Sequence, residues 1–137
     1  MSTPDTFLYN NIRTLFATGG FNWATSPVNA MLVNSLYVPS LSDQYVSAIP
    51  PAAIIARDQV LTGVGQTNGV CYGNIPQWDT LIANSIAVAV VLYSKLSTDP
   101  ISPLIYYGSN GPGFPLTLQG FNYFVGYDST QGGWFQV

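Results

Sequence analysis

Apolar residues at the start of the chain recur at helical spacing. In residues 6–17 (TFLYNNIRTLFA), Leu8, Ile12, Leu15 and Phe16 fall at i, i+4, i+7 and i+8. That spacing predicts a short amphipathic helix over 6–17, stable only with its apolar face packed. Ser2 or Thr3 is placed to cap its start, with Pro4 in the first turn and Asp5 favourable against the helix dipole. Gly19 and Gly20 are placed to end it.

After Gly20 the pattern turns to β. Residues 21–24 and 29–36 (NAMLVNSL) read as a first extended stretch, broken at Ser26 and Pro27. Residues 37–41 contain Pro39 and read as a strand end and turn. Residues 45–49 suit a short strand or one helical turn, before Pro50 and Pro51 punctuate the chain. Residues 53–61 (AIIARDQVL within them) predict a strand with Arg57 and Asp58 at its middle. Residues 62–69 are glycine-rich, with Asn68 and Gly69 as a hairpin signal into a return strand over 70–78. In residues 86–96, Ile86, Val88, Val90 and Leu92 fall on one strand face and Ala87, Ala89, Val91 and Tyr93 on the other. Both faces are therefore expected to be covered. Residues 103–107 (PLIYY) are the natural partner of that strand after a turn at 97–100. Residues 114–118, 121–127 and 134–137 read as the last strands, and the apolar ending (WFQV) predicts a C-terminus held in a sheet.

The short strands at close spacing, with glycine and proline turns, predict an all-β chain. The expected form is a two-sheet β-sandwich, jelly-roll or Greek-key, with one short N-terminal helix. A length of 137 residues fits one domain, with 1–19 as helix or arm and 20–137 as the sandwich.

Charge changes the picture most. Lys and Arg number 3, Asp and Glu together 6, and His is absent. Charged residues are 7% of the chain, against about 25% in typical soluble domains. Size scaling gives a monomer of this mass roughly 7,000 Å² of surface, which so few ions defend poorly against association. Part of it is expected to lie against other protein, as in an oligomer or lattice. Net charge −3 argues against nucleic acid as a partner, since phosphate binding needs clustered cations. A membrane is not expected either. The longest apolar run (IAVAVVLY, 86–93) falls far short of a helical span of about 20 residues, and MSTPDTF does not read as a signal peptide.

Candidate chemistry is sparse. Without His, neither a Ser-His-Asp nor a Cys-His arrangement can be built, and imidazole metal sites are excluded. Cys71 stands alone in the sequence, which rules out an internal disulfide, and it reads as an inert packed thiol. Asp43, Asp79, Asp99 and Asp128 sit in turn contexts, where Asp bonds locally, rather than as a catalytic carboxylate pair. No enzyme activity and no cofactor are expected. Arg57 and Asp58, adjacent on a strand, should point to opposite faces and so not pair with each other. They and Arg13, on the polar side of the helix, are candidates for contacts between subunits. Tyr106, Tyr107, Tyr123, Tyr127 and Trp134 gather aromatic surface in the last third, read chiefly as core or protein interface and secondarily as a sugar-stacking face. The interface candidates are thus Arg13, Arg57, Asp58, Tyr107, Tyr127 and Trp134.

The order of segments over approximately residues 7–137 resembles a family of small structural proteins of tailed bacteriophages. The likeness runs through LFATGGFNW, NAMLVNSLYVPS, DQYVSAI, AAIIARDQVLTG, IAVAVVLY followed by SPLIYY, then FPLTLQG and GGWFQV. Members often carry His where Gln44 stands here, and are richer in Asp and Lys. The resemblance implies a β-sandwich virion component without enzymatic activity. In that case the chain would be a capsid decoration (cement) protein on the outside of the head, made in the host bacterial cytoplasm. It would bind the major capsid protein and copies of itself, with a trimer favoured. The alternative is a tail or fibre-base component, an adaptor or a receptor- or glycan-binding module.

Overall fold

The structure, a computed structural model, describes residues 6–23, 25–67, 70–73, 77–78, 86–109, 116–117, 123–124 and 135–136. Its centre is a five-stranded antiparallel sheet in the order β1-β9-β8-β2-β3. These strands are β1 (Thr6–Leu8), β2 (Asn29–Val33), β3 (Ile54–Val60), β8 (Ala89–Tyr93) and β9 (Leu104–Gly108). A second sheet joins β4 (Gly65–Thr67), β5 (Val70–Tyr72) and β12 (Phe135–Gln136). Two short ladders pair β7 (Ile86–Ala87) with β10 (Leu116–Thr117) and β6 (Gln77–Trp78) with β11 (Tyr123–Phe124). One helix, α1 (Asn10–Thr18), precedes β2. Among the described residues the regular structure is therefore mainly strand in antiparallel sheets, with one short helix.

Several expectations hold in detail. Within the Ile86–Leu96 region β8 is buried on both faces and pairs with β9 from Val90↔Gly108 to Tyr93↔Leu104. The expected alternation fails at Val88, between β7 and β8, so that Ala87 packs with Val90 and Leu92, Val88 packs with Ala89 and Val91, and Ile86 is half exposed. Strands β4 and β5 pair with Thr67 opposite Val70, the register of a hairpin whose two linking residues are Asn68 and Gly69. Strand β12 pairs with β5, so the last apolar segment is held in a sheet. Gly19 ends α1 in the left-handed region at φ 77°, where a Cβ would be strained.

The start of the chain differs from the sequence expectation. Residues 6–8 are a strand, and the helix begins only at Asn10 after an extended, side-chain-uncapped Tyr9. Ser2, Thr3, Pro4 and Asp5 lie outside the described residues. Pairing of Thr6–Leu8 with β9, and stacking of Phe7 on Tyr107 at 5.4 Å, outweigh the helical pattern there. Residues 21–23 form no strand, although Phe21 and Trp23 are buried. The first long strand stops at Val33 because Asn34 turns the chain: its Oδ1 accepts from the Leu36 N–H at 2.9 Å.

The two faces of the central sheet carry separate cores. Ala30, Leu32, Val90, Leu92 and Ile105 point to one face. There they meet Ile12, Leu15 and Phe16 of α1, together with Phe21, Trp23, Leu61 and Cys71. Met31, Val33, Ala89, Val91, Tyr93, Leu104 and Tyr107 point to the other. That face is covered by residues 34–53, which contain two 3-10 turns, Val46–Ala48 and Pro51–Ala53, and contribute Tyr37, Val46, Ile49 and Ala53.

Candidate functional site

Strand β3 lies at one end of the central sheet's strand order and is not regular. Ala30 pairs with Gln59 and Leu32 with Ala56, so Arg57 and Asp58 together oppose the single residue Met31. This is a β-bulge. Asp58 takes a left-handed backbone at φ 68°, a conformation Asp tolerates better than most side chains. The bulge breaks the alternation of side chains and corrects the expectation that Arg57 and Asp58 point apart: Arg57 Nε donates to Asp58 Oδ1 at 3.2 Å.

Around this pair the fold gathers two of the three cations and two of the six carboxylates in the chain. Asp99 opens a 3-10 turn, Asp99–Ile101, in the β8–β9 connection. Arg57 grips it with both terminal nitrogens, Nη1 to Oδ2 at 3.0 Å and Nη2 to Oδ1 at 2.8 Å, the fork geometry suited to a carboxylate. Lys95 Nζ lies 3.0 Å from Asp58 Oδ2. Tyr93 is the hinge of the cluster. Its ring reaches past β2 to β3, where its hydroxyl accepts from the Asp58 backbone N–H at 2.8 Å and donates to the Asp58 carboxylate. The Arg57 guanidinium stands 5.6 Å from the Tyr93 ring centroid.

The electrostatics follow from these contacts. Burial raises the cost of charge on Asp58, but hydrogen bonds from Tyr93, Lys95 and Arg57 outweigh it and hold its carboxyl below the usual range. The hydrogen bonds from Arg57 do the same for Asp99. Burial, then the carboxylate of Asp58, push the Tyr93 hydroxyl up, so it remains a proton donor. Arg57 is held protonated by Asp99 above all. The cluster is neutral overall, and each ionic group is satisfied by another. Such an arrangement fastens the β8–β9 connection to the bulged strand; it offers no activated nucleophile or proton shuttle.

A second polar chain lies on the same face of the sheet. Asp43 Oδ2 accepts from the Tyr37 hydroxyl at 2.8 Å and from the Ser40 N–H at 3.0 Å. Because Tyr37 gives its proton to Asp43, its oxygen accepts from Tyr9 at 2.8 Å. Burial pushes both tyrosines up, so the hydroxyls stay protonated. Asp43 and Asp99 thus sit in turns, as their sequence contexts imply; Asp79 and Asp128 lie outside the described residues.

The remaining sequence candidates are scattered. Arg13 is exposed on α1, away from the Arg57 contacts. Tyr106 and Tyr107 are buried in the two cores. Tyr107 therefore serves as core, stacked on Phe7 and edge-on to Tyr37, and presents little surface to a partner. Tyr127 and Trp134 lie outside the described residues, as does the Tyr123 side chain. Cys71 is buried and its thiol is pushed up to about 11 by that burial, as an inert packed thiol should be. Sequence reasoning missed Tyr93, Lys95 and Asp99 as partners of Arg57 and Asp58. The available signal was scarcity: with so few ions, a charge on one strand and a Lys–Asp pair ending its neighbour's neighbour have few other choices.

Among the described residues no group of three or more His, Cys, Asp or Glu side chains is placed to hold a metal ion. No helix among them is long and apolar enough to cross a membrane. No family model, no curated protein and no solved structure matches this chain.

Proposed function

We propose that this chain is a structural protein of a bacteriophage virion, a decoration or cement protein. It binds the outside of the capsid, staples neighbouring subunits of the major capsid protein and associates with copies of itself, a trimer being favoured. Its work is binding energy alone, without catalysis or cofactor. The observation that carries this reading is a surface of ordinary size with few ions on it. The chain exposes 7038 Å², charged residues are only 7% of its residues, and four of those ions neutralise one another in the Arg57 cluster. A surface of this kind is at home against other uncharged protein. The ordered likeness of its segments to small phage structural proteins supports the same reading. We read these antiparallel sheets as a sandwich, jelly-roll or Greek-key; that Cys71 of β5 packs in one core with Ala30 and Leu32 of the central sheet supports this reading.

A ligand that binds only the assembled shell stabilises it by mass action. Heads of the parent virus prepared without this chain should rupture at lower temperature than complete heads, and added protein should restore them. Unchanged rupture, or a copy number fitting the tail rather than the shell, would overturn the reading and favour a tail or fibre-base component.

A further inference from the structure

Asp99 is followed by Pro100, and no other Asp in the sequence precedes a proline. An Asp–Pro bond is prone to attack by its own side chain. The carboxyl oxygen reaches the carbonyl carbon of its own residue by closing a small ring, so the attack is intramolecular. The nitrogen that leaves is proline's, a tertiary amide nitrogen with no N–H, and it departs as a basic secondary amine.

The fold presents this bond and restrains it at once. The Asp99 side chain is 43% exposed and Pro100 is exposed, so water reaches the bond. The Asp99 carbonyl oxygen accepts from the Ser102 N–H at 3.2 Å, a donor on the atom where negative charge gathers during attack. Ser102 is buried and tied through its Oγ to Leu96 N–H and Thr98 O, so this donor is fixed. What is withheld is the nucleophile. Arg57 takes both carboxylate oxygens, Oδ2 at 3.0 Å and Oδ1 at 2.8 Å. A carboxylate gripped in a fork is not free to turn onto its own carbonyl, and it lacks the proton that the leaving nitrogen needs. The other ions beside Asp99 are Lys95, which favours its charge as Arg57 does, and Asp58, which works against both. The 3-10 turn Val46–Ala48, packed against Asp99–Ile101, carries no ionisable side chain.

We propose that Asp99–Pro100 is a self-cleavage site of this chain, latched by Arg57 and opened by acid. When Asp99 is protonated, Arg57 loses its anionic partner. An Asp99 Oδ oxygen then bonds to the Asp99 carbonyl carbon, the carbon–nitrogen bond to Pro100 breaks, and the carboxyl proton passes to the Pro100 nitrogen. Water opens the cyclic anhydride left on Asp99 to two carboxyl groups. The products are residues 1–99, ending in Asp, and residues 100–137, beginning with Pro. The cut falls in the connection between β8 and β9, which are neighbours in the central sheet. The ladder from Val90↔Gly108 to Tyr93↔Leu104 then joins the two pieces without a covalent link. This inference concerns the chain alone and does not rest on the virion reading.

The test is mass spectrometry of the full chain held near its carboxyls' unfolded pKa, at about pH 4, and below its melting temperature. The same incubation in urea supplies the unlatched chain. The 1–99 and 100–137 fragments should form in urea and much more slowly in the folded chain. Arg57→Gln should release them from the folded chain about 5-fold faster, the limit that screening sets on a half-exposed ion pair. In urea the two chains should cleave alike. Asp99→Asn, which has no carboxyl proton to pass on, should remove this cut. Leu92→Ala separates the latch from stability. It weakens the core and leaves Arg57 on Asp99, so while folded it should cleave no faster than the wild type. If Arg57→Gln does not fold at this pH, Arg57→Lys, which retains the charge and loses the fork, is read in its place, with a smaller gain. Equal rates for the folded wild type and the Arg57 variant would overturn the inference. So would a rise in Leu92→Ala that matches the Arg57 variant, or an uncut Asp99–Pro100 bond in urea.

Discussion

The two faces of the central sheet are built from the same strands and covered in different ways. On one face the cover includes α1, whose backbone groups bond to each other along the helix. Its contribution to that core is apolar: Ile12, Leu15 and Phe16. On the other face the cover is residues 34–53, with no helix beyond single turns to pair its backbone. Buried backbone groups must still be paired, and here the fastenings come from turns, side chains and neighbouring loops. Val46 N–H donates to Ser102 O, Leu104 N–H to Gln44 O, and the buried Ser102 Oγ links Leu96 N–H to Thr98 O. On this face the hydroxyls of three tyrosines, Tyr9, Tyr37 and Tyr93, lead to Asp43 and Asp58. An irregular cover thus takes from turns and side chains the backbone pairing that a helix supplies within itself.

The contrast can be broken most severely from the apolar side. Leu92 of β8 is fully buried in the core to which α1 contributes. Leu92→Ala removes apolar contact and leaves a cavity, with no polar group to rearrange around it. The expected loss is about 2–5 kcal/mol, read as a lower urea midpoint at unchanged slope. A loss below about 1 kcal/mol would mean that this core closes up around the gap and is not the better-packed of the two.

On the tyrosine side the order of donors sets the order of effects. Tyr37→Phe takes a donor from Asp43 and strands the fully buried Tyr9 hydroxyl. An unsatisfied buried group costs about 1–3 kcal/mol. Tyr9→Phe removes only the outer donor, since Tyr37 still gives its proton to Asp43, and should cost about 0.5–1.5 kcal/mol. Urea midpoints of the two variants check this. Equal losses would show that the chain of hydroxyls does not run from Tyr9 through Tyr37 to Asp43.

How far the sequence discloses this architecture depends on whether local or distant contacts decide. Alternation in residues 86–96 reveals β8 and its two covered faces, because burial on both sides leaves an uninterrupted apolar run. Gly19 marks its turn because the left-handed backbone there demands a residue without a Cβ. The helix start is illegible, because Phe7 is drawn into the sheet by Tyr107, a hundred residues away in the chain. The Arg57 cluster is illegible for a related reason. Strand periodicity sends adjacent side chains to opposite faces, and only the bulge opposite Met31 cancels that rule. Residues 34–53 show little period of their own, so their role as a cover cannot be read from spacing.

The smallest effect separates the two polar ties of the tyrosine face by acid. Asp58 and Asp99 are both held below their unfolded values, Asp58 by Tyr93, Lys95 and Arg57 against the cost of burial, and Asp99 by Arg57. A carboxyl depressed on folding stabilises the native state fully above its unfolded pKa, about 3.9. That stability is lost as pH falls through the lower, folded value. The wild type should therefore lose stability on the acid side of about pH 5, and the slope should flatten once both groups are protonated. Asp99→Asn deletes one of the two contributions and leaves the bulge and Tyr93 intact. The Asp99 side chain is 43% exposed, so screening by water limits its share to under about 1 kcal/mol. Urea midpoints from pH 6 down to about pH 2.5 should show a shallower acid limb for Asp99→Asn than for the wild type, the two curves converging at the lowest pH. Parallel curves would mean that Arg57 gains no more from Asp99 than from water.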